Sequence, residues 1–157
     1  MNRFFKSLSL ALIPVAAAVI ALPAAAQFAK PEDAIKYRKS ALSVMGAHFG
    51  RVAAMANGRV PFDAKAVAEN AEIATFMSKL PYAGFVEGSD KGDTKAQPEI
   101  WTEKDKFNAA ATKMQGEMAK LNVVAKTGNI DAIKAAVAET GKACKACKAC
   151  HDTYRKE

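Results

Sequence analysis

Residues 107–125 read FNAAATKMQGEMAKLNVVA. Phe107, Ala111, Met114, Met118, Leu121 and Ala125 recur at spacings of four and three, the repeat of one face of an α-helix packed in a bundle. This helix is expected to start near Thr102 or Glu103 and to break at Thr127-Gly128-Asn129. Upstream, Pro31-Glu32-Asp33 marks a helix start, with proline early and acids in the first turn. Ile35, Leu42, Met45, Phe49 and Val52 form the stripe of that helix, and Asn57-Gly58 closes it. Asp63 is placed to cap a second helix, whose stripe is Ala66, Asn70, Ile73, Met77 and Leu80 before Pro81 stops it. Downstream, a last helix runs from about Ile130 to near the terminus, with Ile133, Val137, Thr140, Cys144, Cys147, His151 and Tyr154 on one stripe.

Helices of this length and spacing predict an all-α chain folded as an antiparallel four-helix bundle. Residues 58–62 and 127–129 are connections too short to do anything but turn neighbours antiparallel. The middle connection, Pro81 to roughly Trp101, holds Gly84, Gly88, Gly92 and Pro98 and must cross an end of the bundle. Composition agrees. Aromatics make up 8 %, and no segment alternates apolar and polar residues, which argues against an all-β chain. With 50 % apolar and 25 % charged residues, a disordered or collagen-like chain is excluded as well. The stripes are lined by Ala and Met, and the methionines are read as gap fillers.

The first 26 residues stand apart from this pattern. Arg3 and Lys6 precede an uncharged run from Ser7 to Ala26 that ends in Pro23-Ala24-Ala25-Ala26. A basic start, an apolar stretch and an Ala-x-Ala end describe a cleaved signal peptide rather than a membrane anchor. Residues 27–157 are then the bundle domain, exported to the periplasm in a bacterium, with no second apolar run able to span a bilayer. Loss of Arg3 and Lys6 lowers the net charge of +7 by two.

Export gives meaning to the cysteines, which fall at Cys144, Cys147 and Cys150, directly before His151. Cysteines three apart on one helix are poor disulfide partners. Cys147-Lys148-Ala149-Cys150-His151 is a C-x-x-C-H sequence, the pattern of c-type haem attachment. Two thiols so spaced can bond to one edge of a porphyrin, and the following His then reaches the iron from the same face. Zinc competes weakly, because it usually gathers ligands from two segments and these lie on two turns of one helix. A thiol-redox site is disfavoured too, since that motif prefers a helix N-terminus. The expected cofactor is one haem c, covalent through Cys147 and Cys150, with His151 on the iron.

With these residues in view, the chain resembles the class II c-type cytochromes, and within them the cytochrome c-prime family. The resemblance covers residues 27–157. It rests on Gln27-Phe28-Ala29-Lys30-Pro31-Glu32-Asp33-Ala34, Tyr37-Arg38-Lys39-Ser40-Ala41-Leu42, Leu80-Pro81-Tyr82-Ala83-Gly84-Phe85, Pro98-Glu99-Ile100-Trp101 and the segment from Cys147 to Arg155. It implies a homodimer of four-helix bundles with five-coordinate haem. It also implies that Arg38, Lys39 and Asp93 contact the haem or its propionates, and that Arg155 lies beside the proximal His. One departure stands out. The family pattern places a Gly three residues before the first haem cysteine, whereas Gly141 is three before Cys144 and six before Cys147. The additional Cys144-Lys145-Ala146 rotates a helix by about 300° and lengthens it by about 4.5 Å.

The sixth iron position decides function. By resemblance Leu42 faces it, with Phe85 in the distal wall. Leucine cannot ligate, and its isobutyl group crowds an incoming ligand. A crowded apolar pocket admits small diatomics such as NO and CO and offers bound O₂ no hydrogen bond. Met45, one turn from Leu42, is the rival ligand and would make a low-spin electron carrier; His48 is a further candidate. Lys142, Lys145, Lys148, Arg155 and Lys156 surround the attachment motif and could steer an acidic redox partner. Tyr82 and Trp101 are expected to form no stacking array, and basic residues are spread over all helices, so nucleic acid is not an expected partner. No paired acid and base suggests an enzyme. The expected functions are electron transfer, gas binding, or NO buffering without electron transfer.

Overall fold

The computed structural model describes the backbone of residues 27–154 and the side chains of residues 27–143. The leader of residues 1–26 and the side chains of Cys144, Cys147, Cys150, His151 and Arg155 lie outside the described residues. Helix α1, Pro31–Ala56, begins with proline in its first turn, where a missing N–H costs nothing, and with Glu32 and Asp33 at the positive helix end. It closes at Asn57, and Gly58 takes the left-handed turn at φ 69°. Helix α2, Ala64–Met77, is capped as expected: the Asp63 carboxylate accepts the N–H groups of Lys65 at 2.9 Å and Ala66 at 3.0 Å. A short α3, Glu99–Thr102, precedes α4, Lys104–Ala125, and α5, Ile130–Tyr154. Asn129 caps α5 through the N–H groups of Asp131 and Ala132, both at 3.1 Å.

The four long helices form the expected bundle, with α1 against α2, α2 against α4, α4 against α5, and α5 back against α1. Every position of the α4 stripe, Phe107 through Ala125, is buried. The main core joins Val52, Met55, Val67, Ala71, Leu121, Ile133 and Val137. A second cluster sets Ala74 against Met114 and Met118, with Met45, Phe49 and Tyr82 packed on it. On α1, Ile35 and Val52 are buried as expected. On α5, Ile133, Val137 and Thr140 are buried. Among the described residues no helix is long and apolar enough to cross a membrane.

Two expectations are corrected. The buried face of α2 is Val67, Ala71, Ala74 and Ser78, one residue on from the stripe read in the sequence, and Ile73 is exposed. Apart from Val67 that face is made of small side chains, and the larger Ile73 and Phe76 point outward. The aromatic expectation also fails. Tyr82, Phe85, Trp101 and Phe107 meet, with Phe85 and Phe107 centroids 4.9 Å apart and Phe85 and Trp101 6.2 Å apart. Their rings cluster with buried Ile100 at the crossing, so this is core packing and not an exposed platform for bases.

Candidate functional site

The crossing segment and the first half of α1 bring the sequence-predicted residues together. After Leu80 the chain turns through a single 3-10 turn, Pro81–Gly84, which lies against α1. A Cβ on Gly84 would stand 2.7 Å from the Ala34 carbonyl oxygen and 2.9 Å from Arg38 Cβ, so only glycine lets the two backbones approach this closely. Arg38, 2 % exposed, reaches across that contact. Its Nη1 donates to the Gly84 carbonyl at 2.7 Å and to Ser89 Oγ at 2.6 Å. Its Nη2 donates to the Ser89 carbonyl at 2.6 Å and to Thr94 Oγ1 at 2.7 Å. The guanidinium carbon lies 4.6 Å from the centre of the Phe85 ring and 5.9 Å from that of Trp101. Burial pulls the Arg38 pKa down to about 10, and the negative charge of Asp90 acts the other way. The residue is a cation at any physiological pH.

Lys39, the next residue, behaves differently. Its Nζ meets Asp93 Oδ2 at 2.6 Å, and both side chains are exposed. One turn after Arg38, Leu42 is 39 % exposed, although it lies on the stripe whose other members pack inward. Met45 is engaged in the cluster around Met114 and Met118. His48 is held by Asn70, Nδ1 to Oδ1 at 2.8 Å, with Arg51 at 3.4 Å. Phe85 is half-buried and packs on Tyr82 and Phe107. Trp101 donates its ring N–H to the Val86 carbonyl at 2.9 Å.

Arg38, Lys39, Asp93 and Phe85 therefore share one end of α1 with the crossing, and Leu42 follows one turn on. Ser89, Thr94 and the aromatic surround of Arg38 were not legible in the sequence. They are scattered through a segment with no periodicity, and only Gly84 hinted at a close approach. Among the described residues no three His, Cys, Asp or Glu side chains converge on a metal position. The described residues fit a haem. A large apolar side chain left uncovered beside an exposed ion pair suits a flat group with an apolar plane and ionised edge substituents. Helix α5, which carries the attachment motif, packs on α4, α1 and α3.

Bundle and C-x-x-C-H helix together define a c-type haem protein of the helical class. A family model described as Cytochrome C' matches residues 33–155. The cytochrome c' of Rubrivivax gelatinosus is 50 % identical over 132 residues, covering 83 % of this chain and 100 % of the relative. That of Alcaligenes xylosoxydans xylosoxydans is 44 % identical over 131 residues, covering 83 % and 99 %. The crystal structure of the Rubrivivax gelatinosus protein superimposes with a TM-score of 0.77 at 50 % identity, over 83 % of this chain and 100 % of that one. A nitric oxide complex of a variant cytochrome c prime from Alcaligenes xylosoxidans gives 0.75 at 42 % identity, over 83 % and 98 %. The chain belongs to the cytochrome c' family, whose cofactor is a covalently attached c-type haem.

Proposed function

We propose that this chain is an exported, periplasmic haem protein that binds small diatomic gases at a high-spin, five-coordinate iron. Cys147 and Cys150 would anchor the macrocycle and His151 would supply the iron ligand, with Arg155 four residues further along the chain. Leu42 would line the ligand-binding side, with Phe85 in its wall. When bound, ferrous haem supplies an iron that takes NO or CO and can pass a single electron. The observation that carries this reading is the state of the three α1 side chains near the site. Leu42 is uncovered and cannot ligate, whereas Met45 is packed against Met114 and Met118 and His48 is bonded to Asn70. An apolar, crowded face repels bulky anions and leaves O₂ without a donor. Support also comes from the nitric oxide complexes formed by variants of the Alcaligenes xylosoxidans relative.

Electron transfer is the second reading, favoured by the basic residues around the motif, of which Lys142 is exposed and paired with Glu139 at 2.6 Å. Such a field would attract an acidic redox partner. The outer faces of α1 and α2 carry exposed Val44, Ile73 and Phe76, a surface suited to a homodimer. No acid–base pair for turnover is proposed, so the chain is read as a binding protein rather than an enzyme. Absorption and EPR spectra of the purified protein test the coordination. High-spin ferric iron that binds CO when reduced is expected; a low-spin spectrum with a methionine-to-iron band would transfer the ligand role to Met45. Intact mass of the secreted chain, with one haem added and residues 1–26 lost, tests attachment and export together.

A further inference from the structure

Met45 carries a soft sulfur able to ligate iron, and it stands three residues after Leu42, side by side with it on α1. It packs instead on the buried cluster of Ala74, Met114 and Met118, with Phe49 and Tyr82 beside it. The antiparallel run of α1 and α2 sets Met45 level with Ala74. His48 Nδ1 meets Asn70 Oδ1 at 2.8 Å, and from that contact Met45 lies one turn back along α1 while Ala74 lies one turn on along α2. On the third side α4 supplies Met114 and Met118, which are 3 % and 1 % exposed. That side cannot readily retreat. Thr75 Oγ1 donates to the Met118 carbonyl at 2.9 Å and Gln115 Nε2 to the Ser78 carbonyl at 3.2 Å, which ties α2 to α4 beside the cluster.

We infer that Ala74 is a specificity-determining residue for the haem iron: ending at Cβ, it leaves between α1, α2 and α4 the space that Met45 fills, and so keeps the Met45 sulfur off the sixth position. The inference rests on the haem reading above. A core already filled to native density has no room for extra atoms, so a longer side chain at position 74 must displace a neighbour. Met114 and Met118 are enclosed, and the Met118 backbone is tethered by Thr75. Met45 is only half-buried, and its unbranched side chain turns about three bonds. It is therefore the methionine that yields. Its neighbour on α1 is the uncovered Leu42, the residue of the proposed gas site.

The test compares wild type, Ala74→Leu and the double variant Ala74→Leu/Met45→Leu as haem-loaded proteins, through ferric absorption and EPR spectra and CO association to the reduced form. Wild type comes first. A chain without haem defeats the proposed function, yet oxidation of Met45 by chloramine-T, mapped by peptide mass, still reads the packing on that same chain. Ala74→Leu should then speed the oxidation about fivefold, and no change overturns the inference. A low-spin wild type defeats five-coordination and the inference together. With a high-spin wild type, Ala74→Leu is expected to carry about half or more of the iron to low spin with a methionine-to-iron band. CO association should slow about twofold or more, because only the open fraction binds. The double variant is expected to return to high spin. A packing defect alone would lower the melting temperature without that band. An Ala74→Leu protein that stays high-spin, or a double variant that stays low-spin, overturns the inference and leaves the proposed function standing. Should Ala74→Leu not fold, Ala74→Val is the milder intrusion; a low-spin fraction of about a tenth or more supports the inference, and none overturns it.

Discussion

Replacing Gly84 with alanine tests the close approach that seats the crossing on α1. The added methyl would meet a backbone oxygen, Ala34 O, at 2.7 Å and Arg38 Cβ at 2.9 Å. Neither neighbour is the free end of a flexible chain, so the segment itself must move. Overpacking of this kind costs about 1–3 kcal/mol. Movement also lengthens the bond from Arg38 Nη1 to the Gly84 carbonyl, and a hydrogen bond to a charged group contributes about 1.5–3 kcal/mol. Against this, alanine restricts the unfolded chain and returns about 0.4–1 kcal/mol. The balance is a loss of about 1.5–5.5 kcal/mol, or a fall in Tm of roughly 5–25 °C for a domain of this size. Gly116→Ala is the matched control. It is the same chemical change inside α4, where nothing stands within 4 Å of the new Cβ, and it should stabilise by about 0.5–1 kcal/mol. Thermal melts followed by far-UV circular dichroism on the haem-loaded proteins decide the matter. A Gly84→Ala protein that melts at or above the wild-type temperature would refute the reasoning.

Leu42→Ala should raise the CO association rate at least tenfold in flash photolysis, because it removes the crowding side chain; an unchanged rate places Leu42 away from the gas. The corrected face of α2 predicts that Val67→Ala costs about 2 kcal/mol while Ile73→Ala costs less than about 1 kcal/mol in urea unfolding, and the opposite order would restore the face read from the sequence. Asp63→Ala should lower stability by about 1 kcal/mol through loss of both cap bonds, measured in the same assay. Leu121→Ala, fully buried in the main core, should cost about 2–5 kcal/mol, and a smaller loss would mean that the bundle closes around the gap.

The sequence was most legible where one helix face carries the bulk. The α4 stripe runs from Phe107 to Ala125 with large side chains at most of its positions, and every one of them is buried. Caps and breaks were equally readable, because Pro31, Asp63 and Gly128 act through local backbone chemistry alone. Helix α2 misled for the inverse reason. Beyond Val67 its inner face is built from Ala71, Ala74 and Ser78, while Ile73 and Phe76 lie outside, so a hydrophobic pattern points the wrong way by one residue. The attachment motif needs no fold to be recognised, since its donors are contiguous in the chain. The clamp around Arg38 is the opposite case. Its parts are drawn from positions 38, 84, 89, 94 and 101, none periodic with another, and a charged residue on a helix ordinarily reads as solvated surface.

Two neighbouring cations at the rim show why the crossing can be both rigid and receptive. The Lys39–Asp93 pair is short, but its side chains are 50 % and 96 % exposed. Water screens it and rotamer freedom is lost in holding it, so it stabilises the fold by about 0–1 kcal/mol and can be given up for another anion at little cost. Arg38 sits on the other side of that balance. Its charge is out of water, so removing any one acceptor leaves a buried donor unpaired, at about 1–3 kcal/mol or more. The locked charge therefore keeps Phe85 where Gly84 and Arg38 hold it, whatever happens to the exposed pair.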